Sequence, residues 1–231
     1  MAIADQLRLG VVSQLARLEG ALRGGMPRAG WKVGLNFPEV RSAVGLSEIV
    51  VAWIDGSRVL RSGVAFQVPP DAKLHVEAEA CLRVAHAIPA GATPEAAWQG
   101  IDVMAPALEI VDYARSSASL AAMVTHCLFH EATVLGAQTG ASAHADLGTR
   151  LPVVTLNGTA IGPPRSDTVP ADLGEVVATV ARLLGAVGQA LEPGDLILCG
   201  SYTNPVPVAA GDTVSADFGT LGTVELRIAE P

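Results

Sequence analysis

The sequence has no apolar run near the roughly 18 residues that a membrane-spanning helix needs, and its N-terminus lacks the charged-then-apolar pattern of a secretory signal. Its 15 lysines and arginines form no cluster, and its formal net charge of -8 disfavours the phosphate backbone of a nucleic acid as a partner. We therefore expect a cytoplasmic protein that binds neither a membrane nor nucleic acid.

Cysteines and aromatic residues are also scarce. Cys81, Cys127 and Cys199 are odd in number and far apart, which fits neither a disulfide framework nor a C-x-x-C metal site. Aromatic residues make up 4% of the chain and hydrophobic residues 50%, so the core must consist mainly of aliphatic side chains. A chain of 231 residues is long enough to bury one substantial core of this kind.

Residues 73–84 alternate strictly between apolar and polar side chains, which is the pattern of a β-strand. Residues i and i+2 of a strand face the same way, so Glu77 and Glu79 should lie side by side. A divalent cation that prefers oxygen ligands, such as Mg²⁺ or Mn²⁺, would turn their mutual repulsion into coordination. The alternative is a solvated strand face on which neighbouring basic side chains balance the two acids.

Two further charged residues stand in settings that suggest a ligand or a partner. Lys32 lies between Gly30 and Gly34 in an alternating segment, where the missing side-chain bulk lets a ligand approach closely. Glu109 lies in the middle of the apolar residues 106–111, and a carboxylate buried there needs a cation or a strong hydrogen-bond donor. The alternative for each residue is an edge strand from which its side chain points into solvent.

Local patterns predict the remaining elements. Apolar residues spaced three and four apart predict an amphipathic helix over residues 3–22, and Thr93-Pro94-Glu95 predicts a second helix that runs to about Met104. Residues 117–130 are predicted as a helix that leads into a strand, and Asp172 as the N-cap of a helix that crosses a β-rich C-terminal half. Residues 54–57 predict a β-hairpin.

His126 and His130 are four residues apart, which is the spacing of paired zinc ligands on one helix. The residues between them lack the glutamate of the metalloprotease motif. A helix face with two structural histidines is therefore favoured over a second metal site.

Four segments follow one another in a recognisable order: the glycine-flanked Lys32, the pair Glu77 and Glu79, the apolar run around Glu109, and residues 193–198 followed by Gly211-Asp212. In this order the chain resembles the fumarylacetoacetate hydrolase superfamily from about residue 30 to the C-terminus. Within that superfamily it resembles the group of 2-keto-4-pentenoate hydratase, 4-oxalocrotonate decarboxylase and 2-oxohept-4-ene-1,7-dioate hydratase.

The resemblance implies an α+β fold with a mixed β-roll or barrel-like core, a crossing helix and a small N-terminal helical part. We assign residues 1–60 to an N-terminal helix and strand region packed on the core, and residues 61–231 to the catalytic β-roll domain, within one structural unit. Family members are commonly homo-oligomers, so the resemblance also implies at least a dimer.

The resemblance further implies one Mg²⁺ or Mn²⁺ held by Glu77, Glu79 and Glu109. Lys32 matches a family lysine that would steady the carboxylate or enolate oxygen of a bound 2-oxo acid. Such acids chelate the metal through their carboxylate and keto oxygens and react through an enolate. We take Lys32 and Glu77 as catalytic residues on this basis.

The implied activity is that of a lyase: a hydratase that adds water to a short 2-hydroxydienoate or 2-oxo-enoate in aromatic compound catabolism. A decarboxylase or carbon-carbon bond hydrolase on the same scaffold is one alternative, and a catalytically silent 2-oxo acid binding relative is another.

The loop of residues 200–208 resembles the substrate loop of the hydratases, so Ser201, Tyr202, Thr203 and Asn204 are expected to contact the substrate together with Lys32. The segment around His126 departs from the family pattern, which makes His126 and His130 candidate general bases.

Overall fold

The computed structural model describes residues 1–115, 119–141 and 151–229. The helices among these residues are α1 (Ile3–Arg23), α2 (Pro38–Ala43), α3 (Pro94–Trp98), α4 (Leu120–Thr125) and α5 (Leu173–Gly185). The strands are β1 (Arg28–Gly34), β2 (Val50–Asp55), β3 (Val59–Arg61), β4 (Val64–Phe66), β5 (Leu74–Val84), β6 (Ile101–Asp112), β7 (His130–Leu135), β8 (Thr139–Gly140), β9 (Val153–Leu156), β10 (Thr159–Ala160), β11 (Leu196–Ser201), β12 (Val206–Pro207), β13 (Thr213–Asp217) and β14 (Thr223–Ile228). The α+β class is confirmed.

The larger sheet of the described residues has nine strands in the order β2-β1-β11-β5-β6-β7-β3, with β12 paired to β5 and β8 to β6. Most of its pairs are antiparallel, but β1 pairs with β11 and β3 with β7 in parallel. The strand β2, at one end of this order, contacts β7 near the other end. The sheet is therefore curled into a half-barrel, as the expected barrel-like core requires.

The main hydrophobic core lies on one face of this half-barrel. It joins alternate residues of β5, such as Val76 and Leu82, to Val177 and Val180 of α5 and to Val214 of the five-stranded sheet β10-β9-β13-β14-β4. Complete burial of such aliphatic side chains contributes about 1.5–3 kcal/mol each. The intervening residues of β5 face into the half-barrel, where a smaller cluster of Ala29, Ile54, Cys81, Ala107 and Leu198 fills part of the space. The remaining space lies beside the acidic residues.

The N-terminal region contributes directly to the half-barrel, because its strands β1 and β2 belong to the larger sheet. The helix α1 packs on α4. The division between residues 1–60 and 61–231 stays a prediction. No helix among the described residues combines the length and apolar character needed to cross a membrane.

Two local predictions were wrong. Residues 54–57 do not form a hairpin, because β2 pairs with β1 while β3 pairs with β7 at the other end of the strand order. The helix that begins at Pro94 ends at Trp98, and the chain from Ile101 onward joins the sheet as β6. In both places long-range strand pairing outweighed a local sequence signal.

The other helix predictions agree with the structure in full or in part. The helix α1 matches the predicted residues 3–22, and Asp172 caps α5 by accepting a hydrogen bond from the Gly174 N–H at 2.8 Å. The predicted helix over residues 117–130 is interrupted: α4 ends at Thr125 and a 3-10 turn precedes β7. Its first two residues, 117 and 118, lie outside the described residues.

Gly30 provides a test of the packing between β1 and β11. It lies at a register shift with a φ of 135°, and a Cβ there would be 2.1 Å from the carbonyl oxygen of Leu196. We expect Gly30→Ala to lower the free energy of unfolding, measured by urea denaturation, by about 3 kcal/mol or more. Gly20→Ala is the control, because its new Cβ would have no heavy atom within 4 Å. This exposed helical substitution should raise stability by about 0.5–1 kcal/mol, and a Gly30→Ala protein as stable as wild type would contradict the close packing.

Candidate metal centre

Strand pairing brings three carboxylates together inside the half-barrel. Glu77 of β5 lies directly opposite Glu109 of β6, and Glu79 follows two residues later on the same face of β5. Directly opposed side chains in an antiparallel pair have Cβ atoms about 4.5–5.5 Å apart. One oxygen from each of the three carboxylates lies within 4.8 Å of the other two.

Glu109 also accepts hydrogen bonds from two other elements. Its Oε1 accepts one from the Lys32 amine of β1 and lies 2.7 Å from Nδ1 of His130, which can donate a second. The curl of the sheet makes the first contact possible, because β11 and β5 separate β1 from β6. The Lys32 side chain is 3% exposed and that of Glu109 is 0% exposed. Both lie on inner strands, so the solvent-facing edge alternatives were wrong.

Glu79 is fixed by a bulge in the neighbouring strand. The register between β11 and β5 shifts between Leu198 and Ser201, and the Gly200 N–H donates to Glu79 Oε2 at 2.8 Å. Gly200 has a φ of 99°, and a Cβ there would lie 2.9 Å from Asn36 Cγ, so a larger residue fits poorly. Glu79 is fully buried, and the solvated-face alternative was wrong for it.

The residues fit a divalent cation. Glu79 Oε1 and Glu109 Oε2 are buried and have no hydrogen-bond partner among the described residues. A buried charged oxygen without a partner is costly, so these two atoms point to a missing electropositive group. Hard carboxylate oxygens are the ligands that Mg²⁺ and Mn²⁺ prefer. Three carboxylates against the single charge of Lys32 leave room for a doubly positive ion.

Burial and mutual repulsion divide the protons unequally over the triad. Burial, followed by the charge of Glu109, raises the pKa of Glu77 to about 7 and holds the pKa of Glu79 well above normal. Burial also acts on Glu109, but Lys32 and the hydrogen bond from His130 outweigh it and lower the pKa of Glu109 to about 2. Burial opposes the ammonium form of Lys32, yet the three carboxylates raise its pKa. Without a metal, the stable charge pair is therefore Lys32 with Glu109.

A cavity of about 360 Å³ opens beside this centre. Its described polar lining consists of Lys32, Asn36, Glu39, Glu77, Tyr113 and Asn204. Its larger apolar lining consists of Val33, Gly34, Leu35, Phe37, Val40, Val111, Met123, Leu128, Phe129 and Pro205. The Tyr113 hydroxyl lies 3.4 Å from Glu77 Oε1. The cavity thus has a charged inner end and a predominantly apolar remainder.

Part of the apolar wall is a left-handed turn. Cys127, Leu128 and Phe129 have φ values of 52°, 55° and 69°, which L-residues adopt at a cost of about 1–2 kcal/mol each. The turn places Leu128 against Gly34, where a Cβ would come within 2.1 Å of Leu128 Cδ1. Gly34 is therefore needed for this wall to approach β1.

The structure separates the four predicted substrate-loop residues. Asn204 is exposed and lines the cavity. Ser201, Tyr202 and Thr203 are buried and do not contribute to the described lining. The Ser201 hydroxyl donates to the Thr203 carbonyl at 2.7 Å, and the Tyr202 ring packs edge-on against Phe218. Substrate contact by these three residues stays a prediction, and in the structure they support the loop that carries Asn204.

The two histidines also differ in their surroundings. His126 is exposed at the C-terminal end of α4 and does not line the described cavity. His130 is half-buried at the start of β7, and its side chain, which is 4% exposed, lies against Glu109. They do not share a helix, so the spacing that suggests paired zinc ligands does not apply to them.

Asn36 and Tyr113 line the cavity but were not predicted as site residues. Period-2 alternation could have predicted both, because Asn36 follows Lys32 by four residues and Tyr113 follows Glu109 by four residues, and residues an even number apart on a strand share a face. The left-handed turn of Cys127, Leu128 and Phe129 has no comparable signal, because it contains no glycine or asparagine.

The comparisons with known proteins agree with this geometry. The family model of the fumarylacetoacetate (FAA) hydrolase C-terminal domain matches residues 31–229. A 4-oxalocrotonate decarboxylase from Pseudomonas sp. is 24% identical over 202 residues, which cover 87% of this chain and 78% of that protein. A 2-oxo-hept-4-ene-1,7-dioate hydratase from Escherichia coli is 43% identical over 51 residues, which cover 22% of this chain and 19% of that protein. A 2-hydroxyhexa-2,4-dienoate hydratase from Comamonas testosteroni is 33% identical over 97 residues, which cover 42% of this chain and 37% of that protein.

Solved structures share the fold and contain metals. The 4-oxalocrotonate decarboxylase from Pseudomonas putida G7, complexed with magnesium and adipate, superposes with a TM-score of 0.89 at 21% identity, covering 99% of this chain and 86% of that one. The fumarylpyruvate hydrolase from Pseudomonas aeruginosa, in complex with Mn²⁺ and pyruvate, gives a TM-score of 0.71 at 17% identity, covering 89% and 91%. These relatives are enzymes that bind Mg²⁺ or Mn²⁺, and this chain carries an acidic triad able to hold such an ion. The family match over residues 31–229 shows that the chain belongs to the fumarylacetoacetate hydrolase family.

Proposed function

We propose that this chain is a divalent-metal-dependent lyase that adds water to a short 2-hydroxydienoate or 2-oxo-enoate. The observation that carries the proposal is the carboxylate triad of Glu77, Glu79 and Glu109, which adjoins a cavity lined by Lys32. Two hydratases among the relatives, with 43% and 33% identity over shorter stretches, support the choice of reaction.

The protein residues have distinct roles in this proposal. Bound Mg²⁺ or Mn²⁺ supplies Lewis acidity toward the carboxylate and keto oxygens of a 2-oxo acid. The buried Lys32 amine stabilises negative charge that develops on the substrate oxygens. Glu77 is the triad carboxylate that lines the cavity, and the neighbouring Tyr113 hydroxyl lies 3.4 Å from its Oε1, so these two groups face a bound substrate. His130 contacts Glu109 and can position it, while His126 is exposed and lies outside the described cavity lining. General-base catalysis by either histidine stays a prediction.

A decarboxylase is the second candidate function. It is favoured by the 4-oxalocrotonate decarboxylase relative, whose similarity extends over 87% of this chain. Both reactions need the same stabilisation of negative charge on a 2-oxo acid, so the triad and Lys32 do not separate them. The two reactions differ in their products, because a hydratase keeps every carbon of the substrate and a decarboxylase releases one as CO₂.

We also propose that the protein is a homo-oligomer, at least a dimer. The exposed apolar residues of α1, which include Leu9 and Val12, are suitable for a contact between copies.

The metal site can be tested by calorimetric titration of Mg²⁺ or Mn²⁺ in the presence of oxalate, which resembles a planar 2-oxo acid enolate. We expect wild type to bind both, and Glu79→Gln to lose metal affinity by more than about 100-fold, beyond the losses that outer-shell changes cause. Glu225→Gln, which alters an exposed glutamate of β14, is the control and should bind as wild type does. Equal metal affinity in Glu79→Gln and wild type would refute the ligand assignment.

The raised pKa values predict how the metal-free protein responds to pH. Folded protein retains protons on Glu79 and Glu77 at pH values where the unfolded chain has lost them. Stability should therefore fall as pH rises from 4.5 through about 7. The slope is at most about 1.4 kcal/mol per pH unit for each group.

Urea denaturation in the presence of a chelator measures this slope. Glu79→Gln should flatten the decline, because glutamine does not titrate, while the control Glu225→Gln should keep it. A rise in stability over the same pH interval would contradict the proton distribution.

The reaction itself can be tested by product mass. We expect the Mg²⁺-loaded protein to convert 2-hydroxyhexa-2,4-dienoate into a product heavier by one water, and Lys32→Met to reduce kcat by about 100-fold or more through loss of charge stabilisation. Loss of CO₂ from 4-oxalocrotonate would favour the decarboxylase, and two carbon fragments a hydrolase. Metal and oxalate binding without turnover on either compound would indicate a silent relative.

A further inference from the structure

The cavity beside the triad has its one described cation, Lys32, at the end where a metal ion would bind. Among the described residues that line it, Lys32 is the sole cation, and its amine already contacts Glu109. The other charged side chains of this lining are Glu39 and Glu77, both acids. A substrate carboxylate finds an attractive partner at the metal end. Away from the triad the lining acid is Glu39, which is ion-paired with Arg165, and an anion there finds no unpaired cation among the described lining residues.

Two arginines near the cavity, Arg165 and Arg41, already have partners. The Arg165 guanidinium pairs with Glu39 and with Asp167, the latter at 2.7 Å, and lies 5.0 Å from the centre of the Phe37 ring. Arg41 donates hydrogen bonds to the carbonyl oxygens of Leu35 at 3.0 Å and Asn36 at 3.2 Å. Neither arginine contributes to the described lining of the cavity.

The cavity wall away from the triad is mainly apolar. Val40, Met123, Leu128 and Phe129 contribute hydrocarbon surface to it, and the left-handed turn holds two of these side chains in place. Asn204 is the neutral polar residue of the loop at this cavity. A volume of about 360 Å³ is near the lower end of the range for small-molecule sites, which is about 300–1,000 Å³.

We propose that the substrate is a monocarboxylic 2-oxo acid with a short, uncharged, apolar distal end, and not an acid with a second carboxylate at that end. This inference rests on the proposed function, because it takes the 2-oxo carboxylate to be bound at the metal end. A second carboxylate would lose its hydration beside Glu39 without gaining a free cation among the described residues of the lining. An apolar chain would instead displace water from the hydrocarbon wall.

Calorimetric titration of the Mg²⁺-loaded 231-residue protein tests this selectivity without requiring turnover. The probes are pyruvate, 2-oxobutanoate, 2-oxohexanoate and 2-oxoadipate, of which the last two have the same number of carbons. We expect affinity to rise from pyruvate to 2-oxobutanoate by about fourfold for the added methylene. We also expect 2-oxohexanoate to bind at least about 10-fold more tightly than 2-oxoadipate. An affinity for 2-oxoadipate equal to or above that for 2-oxohexanoate overturns the inference.

Charge variants identify the cause of the selectivity. Asn204→Arg, which adds a cation at the cavity, should shift the affinity ratio toward 2-oxoadipate by about 10-fold. Val153→Arg adds the same charge at an exposed position of β9 and should leave the ratio at the wild-type value. An unchanged ratio in Asn204→Arg would contradict the proposal that the missing cation excludes the second carboxylate.

Two further results separate this inference from the proposed function. If Arg165 leaves Glu39 to bind a second carboxylate, wild type will prefer 2-oxoadipate and Arg165→Gln will lose that preference, which overturns the inference alone. If neither pyruvate nor oxalate binds the Mg²⁺-loaded protein, the proposed function fails and the inference fails with it.

Discussion

The antiparallel pairing of β5 with β6 is the constraint on which the candidate metal centre depends. It sets Glu77 opposite Glu109 and leaves Glu79 beside them on the same inner face. A one-residue shift in the strand register would turn these three carboxylates to the opposite face of the sheet. Because the centre lies between inner strands, the fully buried Glu79 and Glu109 cannot relieve their repulsion by turning toward water. The ion pair with Lys32, the hydrogen bond from Gly200 at the bulge and a divalent cation would each reduce the repulsion among these carboxylates.

The two faces of the half-barrel divide stability and chemistry between them. The face toward α5 and the smaller sheet buries a continuous aliphatic core, while the inner face holds like charges and buried oxygens without partners. The left-handed turn at Cys127, Leu128 and Phe129 adds a backbone cost on the same side. Such features persist where surrounding packing over-determines them. The large outer core therefore permits the inner face to depart from the rules that favour stability.

Sequence reasoning recovered the features that local physics determines. Strict alternation predicted the shared face of Glu77 and Glu79, and the cost of burying a lone carboxylate predicted that Glu109 needs a partner. The sequence did not reveal which strands pair. Residues 54–57 resembled a hairpin, yet β2 pairs with β1 at one end of the strand order and β3 pairs with β7 at the other end. The contact between Lys32 and Glu109 depends on the curl of the whole sheet. The left-handed turn is a tertiary effect, because its residues do not favour that conformation locally.

The cavity has two ends that depend on different parts of the chain. The charged end is fixed by the register of β5 and β6, so changes there disturb the sheet as well as the chemistry. The distal wall comes from α2, α4, the left-handed turn and the loop that carries Asn204, which lie outside that strand pair. Side chains of this wall can therefore change size or charge while the triad keeps its geometry. If the proposed function holds, this separation would let the metal end stabilise negative charge on a 2-oxo acid while the wall selects which acid enters, so that one fold could serve different reactions.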